Sequence, residues 1–157
     1  MKGVEKLPIE RVEGARLLIA AAPYYRAITD LMLRGAEAAV AQGEATLDRV
    51  FVPGAFEIPA AIAHAARCGA YDGFVALGCV VRGQTSHYDY VCGESARGLM
   101  DLSIREGLAI GYGILTVDTL AQAAERADPE RGDKGGEAAR ACLAIIALKR
   151  RFEKIKP

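Results

Sequence analysis

The chain has 157 residues, 52% of them apolar, with 20 Lys plus Arg against 20 Asp plus Glu and a formal net charge of zero. That balance argues against nucleic-acid or membrane-surface binding driven by charge, and no apolar run approaches the length needed to span a bilayer. The length fits one domain, residues 1–157, with enough chain to bury about 68–70% of its unfolded surface.

In chain order, residues 1–13 read as an N-terminal arm, with a short strand expected near Ile9 to Val12. Arg16 to Ala22 is an apolar run with the character of a buried strand. Pro23-Tyr24-Tyr25-Arg26 turns out of it. Ile28 to Gln42 follows at helical spacing, and Gly43 is a suitable stop. Leu47 to Val52 reads as a second strand, broken by Pro53-Gly54. Ala55 to Cys68 is alanine-rich and helical, with Pro59 tolerated in its first turn. Phe74 to Val81 is a third strand. A helix from about Tyr88 to Glu106 places Tyr88, Val91-Cys92, Ser95, Leu99 and Leu102 on one face, and Gly107 ends it. Ala109 to Val117 is a fourth strand, interrupted by Gly111 and Gly113. Thr119 to Arg126 is a short helix capped by Thr119. Residues 127–136 read as a polar loop, and Glu137 to Phe152 as the last helix. The basic run Lys149 to Lys156 fits a solvated helix end, where cations are favoured.

Strands and helices therefore alternate. This predicts a doubly wound, three-layer α/β/α fold with a four-stranded parallel, flavodoxin-like sheet. Such a small sheet has two edges to cover, which favours a partner subunit. The four cysteines, at 68, 79, 92 and 142, form no C-x-x-C pair. Neither His64 nor His87 lies at zinc-ligand spacing to them. Free thiols in a reducing compartment are the expectation. With no charged n-region followed by an apolar h-region, a soluble cytoplasmic protein is expected.

The most informative stretch runs from Gly73 to Tyr90. An apolar strand turns through Arg82, Gly83 and Gln84 into Thr85 and Ser86, either of which can cap a helix, with His87 beside them. The crevice outside the carboxyl end of such a strand is where open α/β sheets bind ligands. The helix N-terminus presents unpaired N–H groups to an anion. The imidazole of His87 suits proton transfer. Gly78 to Thr85 reads G-x-x-x-x-G-Q-T, one residue from a P-loop. Gln84 stands where that motif needs the lysine that reaches the outer phosphates. A small phosphate ester is a better match than a nucleoside triphosphate.

Four segments follow strands and must gather at one sheet edge: Pro23 to Tyr25, Pro53 to Glu57, Arg82 to His87, and the residues after Tyr112. Together they offer aromatic faces, a carboxylate, helix-terminal N–H groups and an imidazole. That set suits a flat polar heterocycle bearing hydroxyls, alongside a phosphate.

The motifs P-G-A-F-E-I-P (from Pro53), L-G-C-V-V-R-G-Q-T-S-H-Y-D-Y-V (from Leu77), Y-G-I-L-T (from Tyr112) and D-K-G-G-E-A-A (from Asp133) resemble the lumazine synthase family, over about residues 14–152. The resemblance implies condensation of 5-amino-6-ribitylaminouracil with 3,4-dihydroxy-2-butanone 4-phosphate, with no metal or redox cofactor. It implies that Tyr24 stacks on the pyrimidine, and that Ala55, Phe56 and Glu57 hold the ribityl chain. Cys79, Val80 and Val81 would offer backbone contacts to the pyrimidine edge. Gln84 and Thr85 would seat the phosphate, and His87 would transfer protons. Tyr112 and Arg126 would reach into the site of a neighbouring subunit, Arg126 to hold phosphate, with Lys134 nearby. Without the resemblance, Cys79 reads equally well as an inert core thiol, and Arg126 better as an exposed helix-end arginine. Tyrosine at 24 and 112, where phenylalanine is frequent in the family, keeps a stacking face and adds hydroxyls. Asp133 stands where asparagine is common. The resemblance also implies pentamers or icosahedral shells of pentamers. A scaffold, or a flavin-like ligand-binding module without turnover, is the alternative role.

Overall fold

The computed structural model describes residues 5–157. The elements, in order, are β1 (Arg16–Ala21), α1 (Arg26–Gln42), β2 (Thr46–Phe51), a 3₁₀ turn (Ala55–Glu57), α2 (Ile58–Arg67), β3 (Gly73–Val81), α3 (His87–Arg105), β4 (Ile110–Val117), α4 (Leu120–Ala127) and α5 (Lys134–Glu153). The strands form one parallel sheet in the order β2-β1-β3-β4. Leu17 stands opposite both Leu47 and Gly73, and Phe74 opposite Ile110. This is the expected three-layer flavodoxin-like architecture.

Side chains alternate across a strand, so each inner strand feeds two cores. Leu17, Ile19 and Ala21 of β1 join Val75 and Leu77 of β3 under α1, α4 and α5. Leu18 and Ala20 join Phe74 and Ala76 under α2 and α3. Both inner strands are buried on both faces, which accounts for their near-continuous apolar sequences. Among the described residues, no helix is long and apolar enough to cross a membrane.

Most boundaries fall within one or two residues of expectation; the departures have local causes. Of the N-terminal arm, residues 1–4 lie outside the described residues. Ile9 to Val12 is not a strand. Val12 donates to Gly43 O at 2.9 Å, in the α1–β2 turn rather than a strand, and Gly14, at φ +78°, then turns the chain into β1. Gly43 does stop α1, yet its φ is −77°, and Glu44 takes the positive φ of 58°. What requires glycine at 43 is space, because a Cβ there would lie 2.9 Å from Leu143 Cδ1 and 3.1 Å from Glu10 O. Gly111 and Gly113 do not interrupt β4, which runs through both. A Cβ at Gly111 would lie 2.7 Å from the Ala138 carbonyl carbon, so glycine lets α5 approach the strand. The expected helix over 55–68 splits into the 3₁₀ turn and α2, with proline in the first turn of the latter.

The last helix begins three residues earlier than Glu137. Asp133 adopts φ 48°, ψ 43°, a left-handed conformation that aspartate tolerates better than most residues, and its carboxylate accepts from Gly136 N–H at 3.2 Å. The same carboxylate receives both terminal nitrogens of Arg140, at 2.7 and 3.1 Å. Asp133 and Arg140 are only 4% and 7% exposed. Lys6 Nζ approaches Asp133 from outside, at 3.6 Å.

Candidate active site

The chain leaves β1 toward β2 on one side and reaches β3 on the other. The crevice between the carboxyl ends of β1 and β3 is therefore the switch point at which such sheets bind ligands. A cavity of about 490 Å³ lies there. Its walls come from the β1–α1 turn (Tyr24, Tyr25), the segment after β2 (Pro53, Gly54, Ala55, Phe56, Glu57), the end of β3 (Cys79, Val80, Val81), and the start of α3 (His87, Val91).

The β1 turn places one tyrosine in and one out. Thr29 Oγ1 donates toward Ala22 O and Tyr25 O, at 3.3 and 3.2 Å, and pins the entry to α1. Tyr25 packs against the core, and burial pushes its hydroxyl pKa up. Tyr24 is 73% exposed and meets Tyr25 edge-on, with centroids 5.0 Å apart at 67°. Its face is thus free to stack. Phe56 supplies a second exposed ring from the 3₁₀ turn. Glu57 lies one turn into that segment, and among the described residues its carboxylate has no hydrogen-bonding or ionic partner within the protein.

The end of β3 provides backbone rather than side-chain chemistry. The β1 ladder stops at the bond from Ala22 N–H to Leu77 O, 2.9 Å, while β3 runs on to Val81 paired only with β4. From Cys79 onward, the flank of β3 toward the β1 turn carries no ladder partner among the described residues. It is a short open edge of N–H and C=O groups facing the cavity. The Cys79 thiol itself points into the core, where burial pushes its pKa up to about 11. It is protonated at neutral pH and is not a nucleophile.

His87 is the first residue of α3, exposed on the cavity wall. The expected cap differs in detail. Ser86 makes no capping bond, and Thr85 Oγ1 accepts from His87 N–H at a long 3.4 Å. Asp89 N–H donates to Ser86 O at 3.0 Å, which leaves Tyr88 N–H, and His87 N–H with its long bond, as the first-turn donors of α3 most available to an anion.

Five of the residues singled out in the sequence lie outside the cavity wall. Gln84 and Thr85 are on the exposed loop just before His87. Tyr112 is half-exposed on the edge strand β4, beside Tyr88 and Cys92 on the far flank of α3. Arg126 is in the last turn of α4, with Nη1 donating to Gln122 O at 3.1 Å. Lys134 opens α5 and pairs with Glu137 at 2.7 Å. The cavity also includes Tyr25, Pro53 and Gly54, which lie in the segments expected to converge but had no role of their own, and Val91, expected only on one face of α3. Their signal is positional, since each sits in or one helical turn beyond a strand-to-helix connection.

A family model described as 6,7-dimethyl-8-ribityllumazine synthase matches residues 14–150. A protein of that name from Methylobacterium radiotolerans is 54% identical over 144 residues, covering 92% of this chain and 88% of its own. One from Methylocella silvestris is 53% identical, covering 90% of each. One from Bartonella tribocorum is 50% identical over 153 residues and covers 97% of each. With a match across nearly the whole sheet and every segment of the cavity wall, the chain belongs to the 6,7-dimethyl-8-ribityllumazine synthase family.

Proposed function

We propose that the chain condenses 5-amino-6-(D-ribitylamino)uracil with 3,4-dihydroxy-2-butanone 4-phosphate to 6,7-dimethyl-8-ribityllumazine, the penultimate step of riboflavin biosynthesis. The 5-amino group attacks the ketone and water leaves to give an imine. Phosphate is then eliminated. The ribitylamino nitrogen closes the ring, and a second water departs. No electron is gained or lost overall, so the chemistry requires proton transfer and positioning of two substrates. One observation carries this reading: four separate segments converge on one cavity with a free tyrosine face, a carboxylate unpartnered among the described residues, an open strand edge and an imidazole. Tyr24 stacks on the pyrimidine, whose edge meets the backbone of Cys79, Val80 and Val81. Ala55, Phe56 and Glu57 take the ribityl chain, and His87 moves protons. Gln84 and Thr85, next to the uncapped start of α3, seat the phosphate. The shared name of the relatives favours this enzyme over a scaffold or a binding module without turnover.

The proposed reading also makes the site a shared one, in a homopentamer of single-domain subunits in the cytoplasm. Tyr112 and Arg126 from one subunit, with Lys134 nearby, complete the cavity of the next. Three features support this: their position away from the home cavity, the open sheet edges β2 and β4, and the exposed apolar residues Tyr90, Met100 and Ile104 of α3. Arg126 grips phosphate through a planar fork of donors.

The test is co-refolding of His87→Ala with Arg126→Ala. Each parent assembly is expected to be poorly active. Random mixing of equal amounts leaves about one quarter of the shared sites with both residues intact, and activity should recover toward that fraction. If mass measurement confirms mixed particles and activity does not rise above the parents, the two residues do not share a site across subunits. Turnover by the parent protein should be unchanged in excess chelator.

A further inference from the structure

The loop that carries the proton-transfer histidine is poorly fastened by its own residues. Gly83, Gln84, Thr85 and Ser86 are all exposed, and among the described residues the backbones of Gly83, Gln84 and Thr85 make no bond outside the loop. The long bond from His87 N–H to Thr85 is internal to the segment. What spans the loop is the side chain of Arg82. Its backbone N–H closes the last rung to Val117 O at 2.9 Å. Its guanidinium carbon then sits 4.3 Å from the ring centroid of Tyr88, the residue directly after His87. Nε donates to Asp118 Oδ1 at 2.9 Å, and Nη1 lies 3.8 Å from Asp89 Oδ1. Asp118 is fixed in turn, since its N–H donates to Gln122 Oε1 at 2.8 Å and Thr119 Oγ1 caps the same helix by accepting from Gln122 N–H at 3.2 Å.

We infer that Arg82 is a positioning residue for His87: it ties the neck of the 83–87 loop to the β4–α4 connection and sets where the imidazole stands. Arginine suits the task because one flat, permanently charged group can stack on a ring and bond a carboxylate at its edge together. Lysine cannot do both. The inference rests on the proposed role of His87.

The experiment compares Arg82→Gln, Tyr88→Phe and Tyr88→Leu, each in the parent and in the His87→Ala background. In the parent, Arg82→Gln should lower kcat about ten- to a hundred-fold, as misplacement of a reacting group by about 1 Å does. Affinity for the ribitylaminouracil, held by the other walls, should stay within about two-fold of the parent. Tyr88→Phe keeps the ring and should retain parental kcat, whereas Tyr88→Leu should resemble Arg82→Gln. In the His87→Ala background, Arg82→Gln should have little further effect, because two residues acting as a unit are not additive. Equal losses in both backgrounds, or a loss of uracil affinity in step with kcat, would overturn the inference. Hydrogen exchange of the 83–90 segment provides a readout that needs no turnover. Arg82→Gln and Tyr88→Leu should accelerate it and Tyr88→Phe should not. A parent without turnover refutes the proposed reaction, and unchanged exchange refutes the clamp.

Discussion

The buried pair Asp133–Arg140 gives the sharpest quantitative expectation. Among the described residues, Arg140→Leu leaves a 4%-exposed carboxylate with only Gly136 N–H, at 3.2 Å, and the half-exposed Lys6 ammonium, at 3.6 Å. Removing one partner of a buried ion pair costs about 3–5 kcal/mol; partial cover by Lys6 places this case near the lower end, at about 3 kcal/mol. For a chain of this size each kcal/mol moves Tm by roughly 2–4 °C, so a fall of roughly 6–12 °C is expected. The double variant Asp133→Asn/Arg140→Leu removes both charges. It keeps an oxygen to cap α5 and a residue at home in the left-handed region, and should lie within about 1 kcal/mol of the parent. Urea unfolding of the parent, both single variants and the double, at one fixed protein concentration, yields the coupling directly. It should be about 2 kcal/mol or more. If Arg140→Leu costs the same in the Asp133→Asn background as in the parent, the charge pair is not what holds the start of α5, and the reasoning fails.

Other expectations follow from the site and the surface. Tyr24→Phe should be nearly silent, while Tyr24→Ala should weaken binding of the uracil substrate by about 0.5–1.5 kcal/mol beyond the area lost. If Phe costs as much as Ala in a binding titration, the hydroxyl and not the ring face is the working part. A brief alkylation at pH 7.5 should modify the exposed Cys68 first and spare Cys142, whose thiol burial pushes up to about 12. A mass spectrum with Cys142 adducts on the folded protein would contradict that burial. The Asp48 carboxylate is held below its ordinary value near 3.8 by the Tyr71 hydroxyl, at 2.8 Å, and then by Arg16. Its contribution is therefore present above that ordinary value and is lost as pH falls through the lower folded one. The Tm gap between parent and Asp48→Asn should narrow as pH drops below about 4. A gap constant from pH 7 to pH 3 would refute the assignment.

The alternation of strands and helices and the position of the cavity were legible because they rest on short-range patterns. An apolar run, a glycine turn and a hydroxyl residue before a helix recur at each connection, and parallel strands bring those connections to one edge. The resemblance supplied roles for Tyr112, Arg126 and Lys134 that no periodicity could, and these three, like Gln84 and Thr85, stand outside the home cavity wall. What stayed hidden depends on distant partners. The left-handed Asp133 is stabilised by Arg140, which a polar-loop reading of residues 127–136 does not foresee. The space that demands glycine at 43 is filled by Leu143, a hundred residues on. Arg82 is given its bearing by Asp118, which lies beyond a whole helix and a strand. The strand expected near Ile9 to Val12 does not form, because the backbone partner of Val12 is a helix-terminal turn.

The chain order of the two cores has a consequence for synthesis. By the time Val81 has emerged from the ribosome, β1, β2 and β3 can all pair. The layer that covers them on the α1 side still lacks α5, whose Cys142, Leu143 and Ile146 are essentially buried there. About 70 further residues must follow before that helix is complete, roughly 4–14 seconds at ordinary elongation rates. Throughout that interval the nascent protein displays Val75 and Leu77 on a partly roofed apolar surface. Ribosome pausing between β4 and α5 is therefore the moment of greatest exposure to chaperones and to aggregation, and a chain released there would carry the whole cavity wall on a sheet it cannot keep dry.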